Sequence, residues 1–272
     1  MDSKREADAP DVSAWGATAG PRADAGEGTR SGAGRGPTGR RPATVAAHTR
    51  GSILDAALRA FAARGFAATS LRDVAAAAGA THGLIRHHFG AKDAVWRAAV
   101  DRGVARFADA VAPYEVPAAV AAGVPAADTP DTPDAVVAHA ARGLGEFLGV
   151  AARHPEVVRL LVHEGEAGGP RLDYLLGRFR PVGARMAPLF ARLQAAGALR
   201  AFPDNQTFFL TFLTAGAVPF ALPALAAALG ADLGDEAAAR AHADRVVGAL
   251  LGPTPAATPS APPRPARHRD TA

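Results

Sequence analysis

Ala75, Gly79 and Ile85 stand at a spacing that can place side chains against a nucleic acid. Ala75 lies four residues before Gly79 and Ile85 six residues after it, each in a short apolar-periodic segment. A small residue at 75 lets two helices approach closely. Glycine at 79 takes the left-handed conformation of the turn, and Ile85 plugs the angle between the helices. This is the pattern of a helix-turn-helix, whose second helix lies in the major groove of DNA with its N-terminal residues facing base edges.

Other constellations carry less chemistry. His163-Glu164 begins a metal-binding pair, but position 167 is alanine, so the helical zinc-protease motif fails. His139, His154 and His163 are isolated along the chain, as polar-face or core histidines are, and no metal is expected. The chain has no cysteine, which excludes disulfides, thiolate metal sites and a cysteine nucleophile. No serine lies between residues 113 and 251, and Glu146, Glu164 and Glu166 form no catalytic spacing. Gly32-Ala33-Gly34-Arg35-Gly36 follows no strand pattern and is not a phosphate loop. An enzyme is therefore not expected, and no cofactor is implied.

The elements that position the turn are read from periodicity and punctuation. Ile53, Leu54, Ala57, Leu58 and Phe61 form one face of a helix over about 44–64, stopped by Gly65 as a left-handed cap. Ser70 opens a second helix, with Asp73 three residues on as a capping box in which Asp replaces the usual Glu. Leu71, Val74, Ala75 and Ala78 make its inner face. Thr81 caps a third helix that ends at Gly90. A fourth runs from Lys92 through Trp96 and Phe107 to just before Pro113.

Residues 113–133 hold five prolines and read as a linker or loop. Further helices are expected at about 134–152, 155–166, 171–198, 204–230 and 234–251, with Pro155 at a helix start and a kink or split at Pro181 and Pro188. Residues 1–43 and 252–272, rich in Gly, Pro, Ala and charge, read as disordered tails. The first lacks the apolar stretch of a signal peptide. Residues 28–112 carry a net charge of +8 and residues 113–251 a net −3, the split of a nucleic-acid module on a mildly acidic body. Thr207–Ala231 is 25 residues without a charge. Its length invites a membrane reading, but Gly216, Pro219, Pro223 and many alanines fit a buried bundle helix.

Thr49–Val100 resembles the DNA-binding domain of the TetR (tetracycline-repressor-like) regulators. The resemblance rests on Ile53-Leu54-Asp55-Ala56-Ala57, Phe61 with Gly65-Phe66, Thr69-Ser70, Asp73-Val74-Ala75, Gly79, and His88-Phe89 followed by Lys92. His154-Pro155-Glu156, Leu160-Leu161 and Glu164-Gly165 are similar to ligand-domain segments of that family. The resemblance implies an all-α homodimer. It would have a three-helix helix-turn-helix domain over 44–112 (motif about 70–89) and a helical ligand-binding and dimerisation domain over 134–251. Such a protein is usually a repressor released from a near-palindromic double-stranded operator by a small-molecule effector. A cytoplasmic protein with no membrane partner is expected, its two C-terminal helices pairing with those of its mate.

Residue by residue, the resemblance puts Thr69, Ser70 and the amides beside them in a phosphate clamp and Lys92 on phosphate. Thr81, His82, Gly83, Leu84 and His87 would face the groove. Arg86 stands where the family commonly has Tyr and could bind phosphate or read guanine bidentately, and His82 often corresponds to Lys. These departures mean that the operator sequence is not carried over. A pocket with apolar lining and few polar groups would draw on His139, Phe147, His163, Tyr174, Phe179, Met186 and Phe209. The alternative readings are a helical small-molecule-binding protein with little DNA binding, and a membrane-attached regulator using 207–231.

Overall fold

A computed structural model describes residues 40–117 and 130–252, with side chains from residue 49 onward. Among these residues all regular structure is helical. The expected tails at 1–43 and 252–272 and much of the 113–133 linker lie outside the described residues. At the N-terminal side, however, helix α1 (Arg40–Ala68) begins four residues before the expected start.

Helix α1 crosses Gly65, whose φ of 75° and ψ of 169° break the helical path. The expected stop is thus a kink followed by a short turn, and Gly65 is extended at positive φ rather than a left-handed cap. Only glycine holds that φ without strain. Helix α2 (Leu71–Ala78) ends at Gly79, which is left-handed (φ 61°, ψ 28°) as the turn requires. Helix α3 (His82–Phe89) follows its Thr81 cap, and helix α4 (Lys92–Val111), which has no side-chain cap, follows its apolar spacing. Ile53, Ala57, Leu58 and Phe61 of α1 meet Val74 and Ala75 of α2, Ile85 of α3, and Val95, Trp96, Ala99 and Val100 of α4 in one buried core.

Helix α4 then runs on into the body. It passes α1 and α6 (Glu156–Ala167) at Gly103, where an added Cβ would sit 2.5 Å from Val157 Cγ2 and 3.0 Å from Leu58 Cδ2. Asp55 of α1 locks the same approach. It accepts from Arg102 Nε (2.8 Å) and Nη2 (3.1 Å) and pairs with Arg106. Burial alone would raise the Asp55 pKa, but the two guanidinium groups bring it below its ordinary value.

The body is built from α5 (Pro133–Arg153), α6, α7 (Pro170–Ala195), α8 (Asn205–Phe212), α9 (Val218–Ala221), α10 (Pro223–Ala228) and α11 (Glu236–Leu251). Helix α7 runs unbroken through Pro181 and Pro188, so of the expected kink or split the split does not occur. Leu175, Val182, Met186, Leu189 and Leu193 form a buried stripe running past both prolines, and its burial holds the helix despite the lost backbone bonds.

The long charge-free stretch is not one helix. A wide turn at Leu213–Ala217 joins α8 to α9, and Leu222 (φ −121°, ψ 60°) separates α9 from α10. Gly216 lies so close to α5 that a Cβ there would be 2.8 Å from Leu148 Cδ2. Among the described residues no helix is long and apolar enough to cross a membrane.

Candidate nucleic-acid interface

Two helix starts build the candidate surface. At the first, Ser70 and Asp73 form a reciprocal capping box. Ser70 Oγ accepts from the Asp73 N–H (3.2 Å) and donates to Asp73 Oδ2 (2.8 Å), while the Ser70 N–H donates to the same oxygen (2.8 Å). The Ser70 backbone bond, with the hydroxyl and the nearby charge of Arg64, holds the Asp73 carboxyl below its ordinary pKa. The first-turn N–H groups of Leu71 and Arg72 remain at the helix end, where an anion is favoured.

At the second, Thr81 Oγ1 accepts from the Leu84 N–H (3.2 Å) and fixes the start of α3. Thr81, Gly83, Arg86 and His87 are exposed and His82 is half-buried, so the helix turns a polar face outward. Nothing lies within 4 Å of a Cβ built at Gly83, so a duplex could approach the backbone there. Ile85 on the opposite side is fully buried and anchors the helix. Leu84 is half-buried against the core and presents only part of its side chain.

Thr69 and Lys92 are placed differently from the phosphate roles that the resemblance implies. Thr69 is only 1% exposed, and its hydroxyl donates toward the carbonyls of Ala60 (3.1 Å) and Gly65 (2.9 Å). That hydroxyl closes the kink instead of facing an anion. Lys92 Nζ donates to the Ala67 carbonyl (3.2 Å) and lies 4.4 Å from the centroid of Phe66, so it ties α4 to the α1–α2 joint. Both placements follow from the kink at Gly65, which turns the 66–69 segment toward α4.

Sequence reasoning missed two exposed arginines beside this surface. Arg72 occupies the first turn of α2, and Arg50 stacks over Phe89 at the end of α3 (4.6 Å). Their only sequence signal is the basic excess of the region.

The seven residues proposed for a pocket do not converge. Phe147 and Phe179 pack with Phe107 and Phe212 in an aromatic cluster, with Phe107 and Phe147 centroids 4.7 Å apart. Met186 is buried core, Phe209 packs edge-on against Phe190 (4.6 Å), and His163 is exposed. His139 donates to the Tyr114 carbonyl (3.2 Å). Tyr174 donates to Asp101 Oδ1 (2.8 Å) where α7 meets α4. A cleft of about 820 Å³ lies instead between α5 and α11, lined among others by Tyr114, Val137, Glu146, Arg240 and Val247, and none of the seven lines it. Residue type alone marked these side chains, and packing keeps Phe147 and Phe179 together but does not gather all seven. Among the described residues no His, Asp and Glu group could hold a metal ion.

Residues 53–99 match the family model described as bacterial regulatory proteins, tetR family. Over 65 residues the chain is 48% identical to HTH-type transcriptional repressor Rv3405c of Mycobacterium tuberculosis, covering 24% of this chain and 31% of that protein. The same figures hold for HTH-type transcriptional regulator Mb3439c of Mycobacterium bovis. The match thus spans 31% of the length of these curated relatives. The fold is similar to AibR, solved in complex with isovaleryl coenzyme A and operator DNA (TM-score 0.53, 19% identity, 75% of this chain and 98% of that one). It is also similar to the fatty acid degradation regulator FadR from Bacillus halodurans (TM-score 0.52, 16% identity, 74% and 97%).

Proposed function

We propose that this chain, whose residues 53–99 match the tetR family of bacterial regulatory proteins, is a sequence-specific transcriptional regulator of that family. It acts as a cytoplasmic repressor that a small-molecule effector releases from its operator. The observation that carries this reading is the outward face of α3, where Thr81, His82, Gly83, Arg86 and His87 stand over a buried Ile85. A helix held by its apolar side and polar on its free side is what major-groove reading needs. Lys92 and Thr69 support it indirectly, by fixing the joint that leads into α2.

The working unit is a homodimer. Leu210 on α8, Leu225 on α10 and Leu229 just after α10 are 65%, 54% and 78% exposed, an apolar surface that a second copy would cover. Two recognition helices one groove turn apart would read a near-palindrome. Effector binding favours a conformer with the wrong spacing, so DNA and effector oppose each other.

The test is binding of the purified protein to a labelled fragment from upstream of its own gene, with unrelated DNA as competitor and across a salt series. Saturable binding at two protomers per site that survives competitor is the expected result. Binding that competitor removes equally, both there and on duplexes selected from a random pool, would leave only non-specific phosphate contact and overturn the reading.

A further inference from the structure

The joint between α1 and α2 is held from within the N-terminal domain and from the body. From within, Thr69 and Lys92 bind the carbonyls of Gly65 and Ala67, and Phe66 stacks on Phe61 (5.8 Å) and meets the edge of Trp96 (6.4 Å). From the body comes Arg171, whose guanidinium carbon lies 4.5 Å from the centroid of the same Phe66 ring.

Arg171 is itself fixed. Its Nε donates to both oxygens of Glu164, at 3.1 and 3.0 Å, and Glu164 is 3% exposed. Glu164 lies in the last turn of α6 and Arg171 in the first turn of α7. Between them Gly168 (φ 68°) and Gly169 (φ 87°) make a corner whose backbone only glycine adopts freely. The direction of the guanidinium is therefore set by the α6–α7 corner. Its target ring directly follows Gly65, the one non-helical joint inside α1, and stands four residues before Ser70, the cap of α2.

We infer that Arg171 is a positioning residue for DNA binding, which ties the α6–α7 corner of the body to the start of α2 through the ring of Phe66. The inference rests on the DNA-binding reading above. Arg171 touches no reading residue. It acts by holding Phe66, and with it the Gly65 pivot, in one orientation while Glu164 neutralises and aligns it. A cation held over a ring in a partly desolvated site gives such a contact a fixed geometry, and arginine supplies both the fork and the flat face.

The test uses the full chain and a duplex selected by the wild-type protein from a random pool. Arg171→Ala and Phe66→Leu should each weaken binding about tenfold, within the usual range of coupling between sites. The double variant should be no weaker than the worse single one, because Arg171 acts through the Phe66 ring and has nothing to hold once that ring is gone. The slope of log affinity against log salt should stay at the wild-type value, whereas loss of a phosphate contact would reduce it by about 1. Arg171→Lys, which keeps a cation at the ring, should recover part of the loss. Hydrogen exchange in the DNA-free protein should rise across 69–78 in both single variants and stay unchanged across α5, which a general loss of stability would not produce. Unchanged affinity, additive losses, a reduced salt slope, or unchanged exchange across 69–78 would overturn the inference. If the wild-type protein selects no duplex, the DNA-binding reading fails, and the exchange comparison alone decides whether Arg171 positions the start of α2.

Discussion

Arg86 stands exposed midway along α3, one turn beyond His82 and on the same side of the helix. An arginine there can fork onto guanine or meet phosphate, and either contact is charge-assisted. Arg86→Ala should cost about 1–3 kcal/mol of operator binding, read by fluorescence anisotropy, and leave the unfolding midpoint where it is. Base reading would appear as lost discrimination at one operator position, and a phosphate contact as a uniform loss with a shallower salt slope. Unchanged affinity would remove α3 from the groove. Lys92 illustrates the opposite case. Its ammonium donates to Ala67 and lies over Phe66, so Lys92→Ala should loosen the joint whether or not the same lysine meets phosphate.

Two helix junctions carry consequences of their own. Helix α4 touches α1 and α6 together because position 103 has no side chain. Gly103→Ala would force a methyl to 2.5 Å from Val157 Cγ2. The cost should be about 1–3 kcal/mol in chemical denaturation, because Val157 and Leu58 are side chains packed in the core and cannot swing clear. A variant as stable as the wild type would mean that the helices separate freely. At the α5–α6 corner, burial and then the charge of Arg106 push the pKa of His154 below its ordinary value, against the opposing pull of Glu156. The fold therefore favours neutral His154. Its contribution is complete above the unfolded value of about 6.5 and declines as pH falls through the lower folded value. Stability should drop between pH 7.5 and pH 5, and His154→Gln should flatten that drop. Parallel profiles for the two proteins would assign the loss to other groups.

For the molecule as a whole, the exposed leucines of α8, of α10 and just after α10 and the break-up of the 207–231 stretch belong together. A single buried helix would hide its apolar residues inside one chain. Leu210, Leu225 and Leu229 stand exposed along the broken stretch instead. Leu225→Asp combined with Leu229→Asp should convert a dimer into a monomer in sedimentation and lower operator affinity steeply, since a half-site alone gains no help from its mate. A wild-type protein that sediments as a monomer would overturn the dimer itself.

What the sequence alone determined is local. Gly79 at its left-handed turn, the Ser70–Asp73 box and the Thr81 cap are legible because their bonds span three or four residues and depend on neighbours in the chain. The apolar spacing of Ile53, Ala57, Leu58 and Phe61 is legible for the same reason, since a helical face follows from its own period. The tertiary structure decided where side chains go once helices pack. It buried the hydroxyl of Thr69 in the kink, turned Lys92 onto Phe66, and dispersed the seven pocket candidates while opening a cleft between α5 and α11. It also brought Arg171 to Phe66 from far along the chain. These contacts depend on interhelical approach, set by small residues such as Gly103 and Gly216 acting on distant partners, and no short window of sequence contains both sides of such a contact.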